Sequence, residues 1–283
     1  MRTLLFKHLL TALFAVSLIT TLQAQRKPSD PKHENHYKVE PLDTDVLHIE
    51  FIDAHSQQAF TQVKLKITNK TEDFIYFKGN EPTFKYEFGE EHASGGGMFQ
   101  GMNMVIDPKA TETKTLKVSG GQNFHVEKLT LILDGFYRIS SEGKKLSAPD
   151  FQLPASKNDF QAGGFTCNLE KIKKETKETS VHFKCNYTGS DVGKIEANKL
   201  VLKTESGQEF ANENRKNKVD LVLPGEHGKI VGVWHIPAKT ADMQFATMDI
   251  VWKDTFTESK MKPLKVGDVK FVLDPGLTDA KNK

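Results

Sequence analysis

Five short apolar segments recur in the same order in the two halves of this 283-residue chain, and this repeat constrains the fold more than any other feature. Corresponding segments lie 116 to 120 residues apart. The pairs are Leu47–Phe51 with Phe165–Leu169, Val63–Ile67 with Val181–Cys185, Val105–Pro108 with Leu221–Pro224, Leu129–Leu133 with Met248–Trp252, and Phe151–Leu153 with Phe271–Leu273. An ordered set of this length predicts an internal duplication, with two copies of one domain of ordinary size.

Within these segments apolar and polar residues alternate, as Val63, Leu65 and Ile67 do with the residues between them. This period predicts β-strands with one buried face. Turn-forming residues separate the segments, and no stretch after the N-terminal leader shows a convincing helical period. About seven strands per copy would fit the spacing, so we predict an all-β chain of two tandem β-sandwich domains.

Composition between the segments sets the predicted domain boundaries. Polar residues and glycines fill the stretches that we assign to the lead, the linker and the tail. The predicted organisation is a signal peptide over residues 1–24, a disordered lead over 25–36, a first domain over 37–154, a linker over 155–164, a second domain over 165–275 and a flexible tail over 276–283.

The first 24 residues have the order of a secretory signal peptide. Arg2 and Lys7 are followed by an uncharged apolar run over Leu9–Leu22 and then by the small residue Ala24. This order predicts export, to the periplasm or outside the cell, with cleavage after Ala24. The run is shorter than the ~20 residues that a membrane-spanning helix needs, and no later segment is longer, so we expect no integral membrane segment in the mature chain.

The charge balance argues against nucleic acid as a partner. The chain has 39 basic and 37 acidic side chains. Arg2 and Lys7 of the leader account for the difference, so the rest of the chain has no net charge. A nucleic-acid-binding protein usually carries a basic excess, because phosphate neutralisation dominates its affinity.

The turns that follow two corresponding strands support a resemblance to a known family. These turns are rich in Asn and Thr and lie within Ile67–Glu72 and Cys185–Gly189. Together with the alternation, they resemble the immunoglobulin-like β-sandwich modules of bacterial exported proteins, the telokin-like extracellular antigen group among them. The chain departs from antibody domains, since Trp234 and Trp252 both follow the second cysteine. The resemblance implies tandem immunoglobulin-like domains in a non-enzymatic recognition, adhesion or scaffolding role.

Cys167 and Cys185 occupy the positions that Ile49 and Ile67 have in the first copy. If the two segments form an antiparallel hairpin that turns at the polar residues near Thr176, the two cysteines lie opposite each other. An exported chain favours oxidation, so a cross-strand disulfide is predicted. Two buried thiols that act as small apolar residues are the alternative. Both interpretations are structural.

A methionine cluster follows a histidine in the first copy and has no equivalent in the second. Its members are Met98, Met102 and Met104, with His92 upstream of a glycine-rich stretch. Thioether sulfur suits Cu(I) and imidazole suits copper generally, so a copper site is one hypothesis. Packing of the methionines as core residues is the alternative. His33 and His36 flank Glu34 in a second, weaker candidate for Zn or Cu(II).

Motifs of the common enzyme classes are missing from the sequence. It contains no Gly-x-Ser-x-Gly, no His-Glu-x-x-His and no phosphate-binding glycine loop before a helix. We therefore predict a non-enzymatic, exported protein that binds a protein or glycan partner in the cell envelope, with the loops Phe88–Met104 and Gln208–Lys218 as recognition candidates. A periplasmic copper-handling protein and an accessory domain pair for a separately encoded enzyme are the alternatives.

Overall fold

The computed structural model describes residues 30–95, 103–120, 123–214 and 218–283. These residues form antiparallel sheets almost throughout, which confirms the all-β prediction. The predicted signal peptide lies outside the described residues. In the described ranges, no helix has the length and apolar content that a bilayer crossing requires.

The first unit of the fold is built mainly from the N-terminal half of the chain. Its strands from that half are β1 (Asn35–Lys38), β2 (Leu42–Asp43), β3 (Leu47–Ser56), β4 (Phe60–Asn69), β5 (Phe74–Phe77), β6 (Thr83–Tyr86), β7 (Glu91–Ala93), β8 (Met104–Ile106), β9 (Thr111–Ser119), β10 (Lys128–Ile132) and β11 (Phe136–Ile139). The chain then enters the second unit.

The second unit is continuous in sequence. Its strands are β12 (Lys144–Leu146), β13 (Phe151–Leu153), β14 (Asp159–Ala162), β15 (Phe165–Lys174), β16 (Glu178–Tyr187), β17 (Val192–Ile195), β18 (Leu200–Thr204), β19 (Glu209–Ala211), β20 (Asp220–Val222), β21 (His227–His235), β22 (Met248–Trp252) and β23 (Phe256–Ser259), with a 3-10 turn at Ala197–Lys199. The chain ends with β24 (Met261–Pro263), β25 (Asp268–Leu273) and a short helix, α1 (Pro275–Lys281). The described part of each unit therefore holds more strands than the seven predicted.

Strand order corresponds between the two units, with two differences among the described strands. Strand β2 pairs with β3 in the first unit alone, and the β25–β1 pairing joins two sheets of the first unit whose counterparts in the second are separate. In the first, one sheet runs β7-β6-β10-β25-β1-β3-β4-β9 and another runs β24-β11-β5-β8. In the second, the sheets run β19-β18-β22-β13, β14-β15-β16-β21 and β12-β23-β17-β20. Corresponding strands also share their register, because Ile49 pairs with Ile67 as Cys167 pairs with Cys185.

The structure divides the chain differently from the predicted boundaries. Strands β12 and β13, which we assigned to the end of the first domain, pair with β23 and β22 of the second unit. Strands β24 and β25, assigned to the second domain, pair with β11 and β10 of the first unit. Strand β14 lies within the predicted linker. The last strands of the chain thus take, in the first unit, the places that β12 and β13 take in the second.

The predicted disordered lead and flexible tail also differ from the structure where residues are described. Asn35 and His36 are buried in β1, between β3 and β25. Helix α1 follows Asp274, whose carboxylate accepts the Leu277 N–H at 2.9 Å and so caps the helix. The backbone N–H of His36 donates to the Thr278 hydroxyl at 3.0 Å, which holds α1 against β1.

Each unit has its own apolar core, and a third cluster joins them. The third cluster contains Phe74, Tyr76 and Ile139 of the first unit and Val192 of the second. Polar contacts reinforce this junction at the connector between β11 and β12. Asp73 accepts hydrogen bonds from the Ser141 N–H at 2.8 Å and from Arg138 Nε at 2.6 Å.

Burial by itself would raise the pKa of the junction carboxyl group of Asp73. The hydrogen bonds from Ser141 and Arg138 outweigh that effect and hold the pKa below its ordinary value. The nearly fully buried ammonium group of Lys194 donates to the Ser141 carbonyl and lies 3.0 Å from a carboxylate oxygen of Glu196. The connector is therefore tied to both units.

Candidate binding groove beside the last strand

Cys167 and Cys185 form a disulfide across strands β15 and β16. Both residues are 0% exposed and belong to the core of the second unit. The bridge therefore crosslinks a hairpin and leaves no thiol for chemistry, because both cysteines of the chain are used.

The predicted copper ligands are only partly described. Met98 and Met102 lie outside the described residues. His92, on β7, lies 3.3 Å from a carboxylate oxygen of Glu90 and packs edge-on against the Phe124 ring at 5.4 Å between centroids. Met104 lies on β8, in another sheet, and packs against the core of the first unit. These two side chains have packing roles, and the copper hypothesis stays a prediction.

The structure also separates the second histidine motif. His33 Nδ1 lies 2.9 Å from Nε2 of His125, whereas His36 Nε2 lies 2.9 Å from a carboxylate oxygen of Glu34 and its ring stacks on that of His55. Burial, and then the neighbouring His33, lower the pKa of His125. In the described ranges, no group of three or more His, Cys, Asp or Glu side chains could hold a metal ion.

A groove of about 620 Å³ lies beside the last strand of the first unit. The segment after β1, the outer side of β25 and the start of α1 form its walls. Its apolar lining residues are Pro41, Leu42, Val269, Val272, Leu273 and Pro275, and its charged ones are Lys38, Glu40, Asp268, Lys270 and Asp274. An apolar floor with charged side chains around it is the usual composition of a protein-binding surface.

Val272 is an apolar strand residue of this groove whose side chain is exposed to solvent. On β25, Val269 and Phe271 point into the core, so Lys270 and Val272 point outward. Val272 pairs with Lys38 on β1 and with Lys128 on β10, and it is 48% exposed. An apolar side chain is thus presented to solvent between two lysines, in the middle of a sheet.

A second recess, of about 260 Å³, lies on the other side of Val272. It is lined by Lys85, Glu87, Lys128 and Lys270 together with apolar groups of β10 and β25. Across the two recesses four lysines face four carboxylates. The surface therefore has no excess of either charge that would select a polyanion.

A third recess, of about 500 Å³, lies where the two connectors between the units cross. Its lining residues are polar, charged or glycine, with Glu142, Asp191 and Glu258 opposed by three lysines. Tyr187 donates a hydrogen bond to Glu258 at 3.0 Å, and burial followed by that carboxylate raises the pKa of the phenol. The recess therefore offers hydrogen-bonding groups of both charges.

Sequence reasoning missed the groove because its walls come from segments that we assigned elsewhere. The predicted recognition loops are described only in part, because residues 96–102 and 215–217 lie outside the described ranges. Phe88 stacks on Tyr86 at 5.3 Å and is half exposed, and Asn212 is fixed by hydrogen bonds to the backbone of β21. The available signal was the run Phe271-Val272-Leu273, since three consecutive apolar residues cannot all face one core from a strand.

Comparisons with known proteins give no family. No protein-family model and no characterised protein matches the chain. Among solved structures, the chain is similar to a β-porphyranase of glycoside hydrolase family 86 from the human gut bacterium Bacteroides plebeius, at 11% identity and a TM-score of 0.16. The match covers 88% of this chain and 37% of that chain, well under two thirds of its length. A likeness at that TM-score carries no argument about fold or function.

Proposed function

We propose that this chain is an exported, non-enzymatic binding protein that recognises a partner protein in the cell envelope through the groove beside β25. The observation that carries the proposal is the exposure of Val272 between two recesses with a balanced rim of charges. Apolar surface of this kind, rimmed by polar groups, typically marks a protein-interaction site. The apolar floor favours an apolar side chain of a partner over the hydroxyl-rich surface of a glycan.

Two further features support the export and the duplication that this proposal includes. A buried disulfide is typical of proteins that fold in an oxidising compartment, which agrees with the export predicted from residues 1–24. The shared strand order of the two units supports their origin by duplication, in immunoglobulin-like modules as the resemblance implies.

Site-specific crosslinking from position 272 tests the proposed function. A photoreactive phenylalanine analogue at Val272 is expected to crosslink one envelope protein in the organism's own exported fraction. The same analogue at Glu205, an exposed turn residue of the second unit, is the matched control and is expected to give no such product. Excess wild-type chain should compete for the crosslink, and excess Val272→Glu should not.

The Val272→Glu variant is suited to this competition because it should fold. The new carboxylate would lie opposite Lys38 and Lys128, so the change replaces an exposed apolar group by a charge that has two cationic neighbours. Equal crosslinking from positions 272 and 205, or equal competition by the wild type and the variant, would contradict the proposal.

A further inference from the structure

The backbone of β25 has hydrogen-bonding groups that point toward the groove. Just after this strand, the Asp274 N–H donates to the His36 carbonyl of β1 at 2.8 Å. Because the direction of the backbone groups alternates along a strand, those of Val272, Lys270 and Asp268 point to the same side of β25. Of these three residues, Val272 pairs with β1. The other two lie farther along the strand, where the groove begins.

Strand β1 ends too early to pair with this part of β25. It stops at Lys38, and the next strand, β2 (Leu42–Asp43), pairs with β3 instead. Both walls of the resulting gap belong wholly to the described residues. Among those residues, no backbone hydrogen bond from the β1 side reaches Lys270 or Asp268. The middle of the sheet therefore contains a short open edge, and an open edge is a template for another strand.

The corresponding edge of the second unit is shorter. Strand β13 takes the place of β25 and has three residues, whereas β25 has six. Aligned through the strands with which they pair, Leu153 takes the place of Phe271, so Pro154 takes the place of Val272. Proline has no N–H to donate, and a short strand that ends at proline is a usual means of blunting an edge. The first unit has no proline in β25 and keeps the longer edge.

We propose that the partner inserts an extended segment into the groove as an added strand along β25, an inference that rests on the proposed function. The backbone of this segment pairs with Lys270 and Asp268, as in other cases of strand addition. The groove volume of about 620 Å³ lies within the roughly 300–1,000 Å³ of ligand sites. Side chains on either side of the residue opposite Lys270 face Leu42 and Val269, so the segment alternates apolar and polar residues.

Hydrogen exchange of the purified full chain tests whether the edge is open. The Lys270 amide is expected to exchange at least about a hundredfold faster than the amides of Val269 and Phe271, whose N–H groups point to β10. A Lys270 amide as slow as that of Phe271 would show that another part of the chain, or a second copy, fills the gap. That result would overturn the proposal.

Substitution of Lys270 tests whether the partner uses this edge. Lys270→Pro removes the N–H that faces the groove and places a ring in the path of an added strand. Competition against the crosslink from position 272 should then require on the order of hundredfold more of this variant than of the wild type. Lys270→Ala keeps the N–H and is the matched control, with an expected loss below about tenfold. Because that N–H does not bond to β10, the proline variant should fold, which circular dichroism checks.

The outcomes distinguish strand insertion from the proposed function itself. If position 272 gives no crosslink, the proposed function is wrong and strand insertion with it. If the crosslink forms and both Lys270 variants compete equally, the partner binds through side chains alone, and only strand insertion is overturned. Should Lys270→Pro disturb the fold, exchange in the crosslinked complex decides. A Lys270 amide slowed at least about tenfold relative to the free chain supports insertion, and an unchanged rate overturns it.

Discussion

Deleting residues 261–283 is expected to unfold the first unit and leave the second folded. Strand β25 pairs with β10 on one side and with β1 on the other, so its loss opens the middle of a sheet. Phe271 is 0% exposed in the core of the first unit, and Val269 lies beside it. The second unit, by contrast, is continuous over β12 to β23 and receives no strand from the deleted segment.

The two tryptophans make this outcome measurable. Trp234 and Trp252 both belong to the core of the second unit, so tryptophan fluorescence reports on that unit alone. The truncated chain should retain the fluorescence transition and lose about half of the strand signal in circular dichroism. A truncated chain that keeps its full strand signal, or that loses the fluorescence transition, would contradict the observed division into units.

A single substitution in β25 tests the contribution of this strand to the first unit without deleting it. Phe271→Ala is expected to lower the free energy of unfolding of the first unit by about 3–5 kcal/mol, because it leaves a cavity in a closed core. Val272→Thr, on the next residue of the same strand, keeps the β-branched shape at an exposed position and should change it by no more than about 0.5 kcal/mol. Denaturation followed by circular dichroism distinguishes the two variants.

Removal of the disulfide is expected to destabilise the second unit by about 3 kcal/mol. The bridge closes a loop of 18 residues, and a crosslink of that span restricts the unfolded chain by about that much. The double variant Cys167→Ala with Cys185→Ala should shift the tryptophan fluorescence transition to lower denaturant and leave the transition of the first unit in place. Reduced wild type is the control and should behave as the variant does. Equal midpoints for oxidised and reduced wild type would contradict the prediction.

The sequence predicted local structure well where one face of a strand is buried. The alternation over Val63–Ile67 and its recurrence over Val181–Cys185 located strands β4 and β16, and the hairpin argument located the partner of Cys167. These features depend on residues close in the chain. The match of Phe271–Leu273 to Phe151–Leu153 identified a strand but not its sheet, because a short apolar segment of this kind fits a strand position in either unit.

The groove could not be predicted for the same reason. It exists only because β25 returns to the first unit and because α1 follows it. The signal for α1 was available, since Asp274 and Pro275 are typical of a helix N-cap and first helical position. Helical periodicity fails over so short an element, which is why the tail was predicted to be loose. The hydrogen bonds that join Asn212 and Asp220 to the backbone of β21 likewise depend on contacts between strands that the sequence does not place together.

Native-state hydrogen exchange on two core variants tests most directly whether the last strand belongs to the first unit. Phe84 and Phe183 are buried in the cores of the first and second units. Phe84→Ala should accelerate exchange in Asp268–Leu273 together with Lys128–Ile132, because these strands open as one cooperative unit. Phe183→Ala should leave Asp268–Leu273 unchanged. If the amides of β25 instead respond to Phe183→Ala and not to Phe84→Ala, the last strand belongs to the second unit, and the groove proposed as the binding site is not formed as described.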